Sequence, residues 1–139
     1  MKTTLVASAI VLFTIGIVSI GPVFATGDFS LVGNPPSCED YISPSTCSRI
    51  IVTATSLNGF SGTVALTATV VAGPSGLTPN LNPTSISVPS GGNANSTFTV
   101  TASCHVYPRC FWIVNVTGTS GPLSHTLQID VCRGTACPV

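Results

Sequence analysis

Most of the chain alternates apolar and polar residues with a period of two. Around Val64, for example, apolar residues take every second position and threonines fill most of the positions between them. Successive side chains of a β-strand point to opposite faces, so this alternation predicts strands with one apolar face and one hydroxyl-rich face. No segment after residue 25 shows the apolar stripe of an amphipathic helix. The pattern predicts seven strands, at residues 28–32, 49–55, 63–70, 84–88, 97–102, 112–117 and 126–131.

Proline and glycine residues separate the predicted strands. They lie at residues 34–36, 58–62, 73–76, 89–92, 108, 118 and 121–122, and residues of these types are typical of turns. Seven short strands with turn signals between them predict an all-β fold, a seven-stranded antiparallel Greek-key sandwich of the immunoglobulin-like type. Trp112, on the sixth strand, is predicted to be the large residue of its core.

The first 25 residues have the order of a secretory signal peptide. Lys2 is followed by an apolar run over residues 5–20, then by Gly21-Pro22 and by small residues at the third and first positions before a cut after Ala25. A retained membrane anchor or a pilin-like N-terminal helix is the alternative interpretation, because the apolar run is long for a signal peptide. The sequence therefore predicts a cleaved segment, residues 1–25, and one exported domain, residues 26–139, outside the cell or on its surface.

Composition excludes two classes of protein. The chain of 139 residues has 4 basic and 4 acidic side chains and a net charge of zero, whereas a nucleic-acid-binding surface needs a basic stripe to neutralise phosphates. With 44% hydrophobic residues, the chain can form a core and is not a disordered tail. We therefore expect one folded domain with no nucleic-acid partner and, after signal cleavage, no membrane partner.

Six cysteines in a short exported chain indicate disulfides rather than metal thiolates. In a seven-stranded antiparallel Greek key, the first, third and fifth connections and the end of the last strand lie at one end of the sandwich. All six cysteines fall in or beside these segments, so they are predicted to gather at that end. The leading pairing joins neighbours within each segment, and links between segments stay open, since six cysteines allow 15 pairings. The local pairs are Cys38–Cys47, Cys104–Cys110 and Cys132–Cys137.

The alternative interpretation of the cysteine end is a metal site, with Cys104, His105 and Cys110 among its ligands. Zinc ligands usually arrive as closely spaced pairs with two residues between them, whereas the cysteine spacings here are nine, six and five residues. A blue-copper site also lacks its ligands, because the chain has no methionine after Met1 and no histidine near Cys132. We therefore predict neither a metal nor another cofactor.

Catalytic residues are equally scarce. Nucleophilic catalysis needs a base beside the nucleophile and a group that orients the base. The two histidines, His105 and His125, are expected near opposite ends, and Asp130 lies on the other face of the strand from His125. Glu39 and Asp40 are interpreted as a solvated turn rather than a calcium site. The sequence predicts a protein that is not an enzyme.

Two glycosylation sequons bear on the surface of the exported domain. Asn95 and Asn115 each stand two residues before a threonine and take outward-facing positions in their strands, whereas Asn82 is excluded by the proline that follows it. The hydroxyl-rich strand faces carry few charges to repel a neighbour, so exposed strand edges could pair with other subunits.

Three segments, residues 55–64, 82–92 and 116–125, resemble the Ser/Thr-rich immunoglobulin-like repeats of large archaeal and bacterial secreted surface proteins. The likeness extends over about residues 28–131. It implies a β-sandwich module used for building, spacing or adhesion at the cell surface, often in tandem and without catalytic residues. The chain departs from the family in its six cysteines, which are not part of the repeat pattern, and in standing as a single module.

Three functional hypotheses follow from these features. The first is a non-catalytic structural or adhesive module that binds copies of itself or other cell-surface proteins. The second is a subunit of an extracellular, pilus-like filament, in which residues 26–36 complete the sheet of the next subunit. The third is a soluble carbohydrate- or protein-binding domain that uses residues 57–62, 91–95 and 118–123 as loops. Its candidate exposed aromatic residues for a glycan are Phe60 and, from elsewhere in the chain, Tyr41.

Overall fold

The computed structural model describes residues 26–35, 37–40, 49–102 and 109–134. The predicted signal peptide lies outside these residues. Within them the chain forms nine strands and no helix, and no helix there is long and apolar enough to span a bilayer. The strands are β1 (Asp28–Asn34), β2 (Ser37–Asp40), β3 (Ile50–Leu57), β4 (Gly62–Ala72), β5 (Leu77–Asn82), β6 (Ser85–Val88), β7 (Asn93–Ala102), β8 (Arg109–Ser120) and β9 (Leu123–Gly134).

The strands form two sheets. One sheet has the order β1-β3-β7-β5 and the other has the order β2-β9-β8-β4-β6. All the pairs are antiparallel except β2 with β9, which is parallel. The all-β class and the two-sheet architecture predicted from the sequence are therefore confirmed for the described residues.

The predicted count of seven strands is too low, because β2 and β5 were not predicted. β5 contains Pro79, which lacks a backbone N–H and is therefore confined to edge strands and bulges; β5 is the last strand of its sheet. β2 contains Glu39 and Asp40, which we interpreted as a solvated turn, but its backbone pairs with residues Asp130 to Arg133 of β9. In both strands a residue with a low β-propensity occupies a sheet edge, where it is tolerated.

The core is formed by the inward-facing residues of both sheets, at the positions that the alternation predicts. Trp112 is fully buried, as expected, and its indole Nε1 donates a 2.7 Å hydrogen bond to the backbone oxygen of Pro74. The other large apolar side chains that are fully buried in the described part of the chain are Phe29, Phe98, Ile50, Ile129, Val52, Val64, Val88, Val114 and Val116. Their burial supplies most of the driving force for bringing the two sheets together.

Between β5 and β6 the chain passes from one sheet to the other. The hydroxyl of Ser96, which is 1% exposed, donates to the backbone oxygen of Pro83 at 2.7 Å, and Leu66 N–H donates to the oxygen of Thr84 at 2.8 Å. A buried polar group without a partner would be costly, so these bonds make the crossing compatible with a dry core.

Gly118 was predicted to end a strand, but β8 continues through it to Ser120. A Cβ atom at this position would lie 3.0 Å from Leu31 Cδ1, 3.0 Å from Val64 Cγ1 and 3.2 Å from Phe29 Cε2. Glycine inside a strand often marks such a close approach. Gly118 therefore lets side chains of β1 pack directly on the backbone of β8.

Candidate functional site

The described cysteines lie at one end of the sandwich. Cys38 is opposite Val131 in the β2–β9 pair, and Cys132 is opposite Phe111 in the β8–β9 pair. Cys110 follows Arg109, the first residue of β8, and lies opposite Arg133 near the end of β9. These positions agree with the strand-parity argument, while Cys47, Cys104, Cys137 and His105 lie outside the described residues.

Cys110 and Cys132 are both buried and disulfide-bonded. Cys110 is opposite Arg133, whereas Cys132 is opposite Phe111, so their side chains point to opposite faces of the sheet. A disulfide needs Cβ atoms about 3.5–4.5 Å apart and facing each other, which argues against a bond between these two residues. The local pairs Cys38–Cys47, Cys104–Cys110 and Cys132–Cys137 stay predictions.

The loops at the other end of the sandwich are bonded to each other. Asn58 and Gly59 both have positive φ, 51° and 76°, as a type I′ turn requires. Ser56 N–H donates to the oxygen of Gly92 at 2.9 Å, and the Ser90 hydroxyl donates to the oxygen of Gly59 at 3.2 Å. Two of the three loops in the binding hypothesis are thus joined into one surface.

Phe60 does not have the exposure that the glycan hypothesis requires. Its side chain is 8% exposed and lies with its ring centroid 5.3 Å from that of Phe29. The prediction that Phe60 is exposed is wrong, and Tyr41, the other aromatic residue considered for this end, lies outside the described residues. Phe60 comes directly after the type I′ turn, and its ring packs into the sandwich and covers this end of the core.

The side of the sandwich between β1 and β9 brings together residues that the sequence did not connect. We call this side the β1–β9 seam and define it by Asp28, Phe29, Leu31, His125 and Leu127. His125 Nε2 lies 2.7 Å from Asp28 Oδ1, and Phe29 N–H donates to the same oxygen at 2.7 Å. The imidazole meets the Phe29 ring edge to face, with 4.7 Å between centroids. One carboxylate thus links the two sheets.

The electrostatics of the seam favour an ionised Asp28. The hydrogen bond with His125, followed by the bond from the Phe29 N–H, lowers the pKa of the Asp28 carboxyl below its usual value. From the sequence, Asp130 was the only partner considered for His125, and it was rejected because it lies on the other face of the strand; Asp130 accepts a bond from Gln128 at 3.1 Å on that outer face. The signal that could have found the pair is the antiparallel order, which brings the start of β1 and the start of β9 to the same end.

The free strand edges also meet at the seam. β1 pairs with β3 over residues Asp28 to Asn34 and has no described strand on its other side. β9 pairs with β8 along its whole length, but β2 covers its other side only from Asp130 to Arg133. Within the described part of the chain, residues 123–129 of β9 therefore have an uncovered edge.

The sequon asparagines have the outward positions that the alternation predicts. Asn95 is exposed on β7, and Asn115 is half-buried on β8, where its neighbours across the sheet are Thr69 and Gln128. Both lie on strands rather than in loops. The described part of the chain holds no group of three or more potential metal ligands.

No protein-family model and no curated protein sequence matches the chain. Among solved structures, it is similar to the CooA pilin subunit of enterotoxigenic Escherichia coli, with a TM-score of 0.51 and 13% identity over 79% of this chain and 99% of that one. It also matches the periplasmic chaperone SfaE, with a TM-score of 0.48 and 10% identity over 80% of this chain and 58% of that one. A human CEP192 PapD-like domain matches with a TM-score of 0.47 and 11% identity over 97% of this chain and 100% of that one. The pilin likeness shows a shared fold.

Proposed function

We propose that this chain is an exported, non-catalytic β-sandwich module that builds a cell-surface structure by binding other proteins, copies of itself among them. The two-sheet fold, which it shares with a pilin subunit, and a chain with 4 basic and 4 acidic residues among 139 support this role. The proposal includes an extracellular location, disulfides at the cysteine end, glycans on Asn95 and Asn115, and no cofactor. The kinship with Ser/Thr-rich surface repeats is part of the same proposal.

The observation that carries the proposal is the position of the N-terminal strand. β1 is an edge strand, yet its Phe29 is 1% exposed and belongs to the main core. An edge strand whose side chain completes the core can come from the same chain or from a neighbouring subunit. This arrangement favours the filament version of the hypothesis, in which residues 26–36 are donated to the next subunit.

Strand donation would preserve the contacts that hold β1. The donated strand would pair with β3 of the neighbour, place Phe29 beside its Phe60 and bring Asp28 to its His125. Because the exchanged contacts are the same as the internal ones, exchange of an identical element is a route to assembly with a low energetic cost. Main-chain hydrogen bonds supply affinity in such strand addition, and the buried side chain supplies specificity.

The test compares the chain starting at residue 26 with one starting at residue 37. We expect the longer chain to form filaments visible by electron microscopy and the shorter one to form none. A synthetic peptide of residues 26–36 should bind the shorter chain, and the same peptide with Phe29→Ala should not. A peptide with Val32→Ala is the matched control, because Val32 is 56% exposed. Filaments from the shorter chain would contradict strand donation.

A further inference from the structure

The edges of the two sheets are not equally protected against pairing with another chain. β5 has Pro79, and β6 and β2 have only four residues each. Proline and short length are two of the devices by which proteins block edge-to-edge association. The uncovered edge of β9, residues 123–129, has no such device. It also contains no Asp, Glu, Lys or Arg, and its histidine is engaged with Asp28 inside the seam.

The hairpin between β8 and β9 determines which backbone groups point outward. Gly121, with a φ of 56°, and Pro122 form the two-residue turn, and Ser120 lies opposite Leu123. In a two-residue hairpin the closing residues are a hydrogen-bonded pair, and hydrogen-bonded and non-hydrogen-bonded pairs then alternate along the ladder. The N–H and C=O groups of Ser124, Thr126 and Gln128 therefore point away from β8, toward the uncovered side.

We propose that residues 123–129 of β9 pair antiparallel with the same residues of a second copy, around a twofold axis at Thr126. Thr126 then lies opposite Thr126 of the second copy, and Ser124 lies opposite its Gln128. These opposed residues are the ones with free backbone groups, so each pair forms two main-chain hydrogen bonds. The two five-stranded sheets become one continuous sheet.

The length and the charge of the free β9 edge favour a second copy of the chain as the strand that pairs with it. β2 begins at Ser37, opposite Asp130, so it limits the free edge to residues 123–129. In the twofold register residue 123 of one copy faces residue 129 of the other, and the free edges match in length without reaching β2. Since the edge carries no fixed charge, two identical edges meet without the like-charge repulsion that would otherwise oppose them. This inference rests on the proposed role in self-assembly, for which it identifies the β9 edge as one contact between copies.

The decisive variant is Thr126→Pro in the chain starting at residue 26. The N–H that this substitution removes faces solvent in the monomer, where an edge strand tolerates proline. In the dimer, its loss from both copies removes two hydrogen bonds at the twofold axis. We expect the dissociation constant of the dimer, measured by sedimentation equilibrium at concentrations too low for filaments to form, to rise on the order of tenfold or more. Thr126→Lys should act in the same direction through charge repulsion. Thr119→Lys is the matched control, because Thr119 is exposed on the same outer face but lies on β8, away from the edge.

Hydrogen exchange of backbone amides identifies the edge directly. In the dimer the amide of Thr126 should exchange at least about tenfold more slowly than in a dilute, monomeric sample. The amide of Leu127, which points toward β8, should be protected in both samples and serves as an internal control. Fluorescence of Trp112 verifies that each variant is folded. An unchanged dissociation constant in folded Thr126→Pro, or a purely monomeric parent chain, would overturn the inference.

The failure of this inference is distinguishable from the failure of strand donation. The chain starting at residue 37 retains the free edge of β9, and Thr126→Pro retains β1. A dimer dissociation constant and a filament width that Thr126→Pro leaves unchanged, together with loss of filaments when residues 26–36 are removed, support strand donation and refute the edge contact. If Thr126→Pro abolishes a dimer of the shorter chain and the longer chain forms no filaments, the edge contact is supported and strand donation is refuted.

Discussion

Phe29→Ala is the substitution that tests most directly whether β1 is an integral part of the core. The side chain is 1% exposed and contacts the rings of Phe60 and His125. Truncation of a buried phenylalanine typically costs about 3–5 kcal/mol, because the transfer free energy is lost and a cavity remains. We expect a loss of this size in the free energy of unfolding, compared with a total of about 5–15 kcal/mol for typical domains.

The assay is urea unfolding with disulfides intact, followed by the fluorescence of Trp112. This residue is the only tryptophan, and its side chain is fully buried, so its emission reports on the core. Val32→Ala is the control on the same strand, because Val32 is 56% exposed; it should cost less than about 1 kcal/mol. If the two substitutions have equal effects, β1 does not contribute to the core as described. Measurements at several protein concentrations show whether the loss is intramolecular.

Two further predictions concern the seam. The pKa of the Asp28 carboxyl is lower in the folded state than in the unfolded state. The ionised carboxylate therefore stabilises the fold at pH values above the unfolded pKa, about 3.9. This stabilisation is lost as the pH falls through the lower pKa of the folded state. Asp28→Asn should therefore reduce the acid dependence of the melting temperature below about pH 4, and an unchanged pH profile would contradict the assigned bond. Gly118→Ala should destabilise the fold by about 1–3 kcal/mol through overpacking, since the new Cβ would lie 3.0 Å from Leu31 and Val64 atoms. Urea unfolding measures this loss, and a neutral result would show that β1 does not pack on β8 so closely.

Period-two alternation predicted the strands that carry the core but not all of the strands. Ile50, Val52 and Ala54 on β3 are fully buried, as their spacing indicates, because one face of that strand is turned wholly inward. β2, with four residues, carries no such signal. In β5, Leu77 and Leu81 do alternate with polar residues and Leu81 is buried, but the proline between them, Pro79, argues against a strand. Local sequence therefore indicates the centre of each sheet better than its edges.

The candidate site was harder to predict because it depends on tertiary contacts. Asp28 and His125 are 97 positions apart, and neither residue has a local pattern that indicates the other. Phe60 follows an Asn-Gly turn, which suggested an exposed loop, although the turn directs the ring into the core. The positions of the described cysteines followed from strand direction alone, since direction depends on the order of the strands and not on side-chain packing.

The two proposed contacts differ in what they can build. A twofold contact between β9 edges uses the same surface on both copies, so it closes after two subunits and cannot form a filament alone. Donation of β1 uses one surface to give and another to receive, so it can continue without limit. If both operate, the filament consists of paired strands of subunits, and Thr126→Pro should leave thinner filaments of single subunits. Electron microscopy of that variant therefore reports on both contacts. Thinner filaments support both strand donation and the β9 contact, whereas filaments of unchanged width exclude the β9 edge from the assembly.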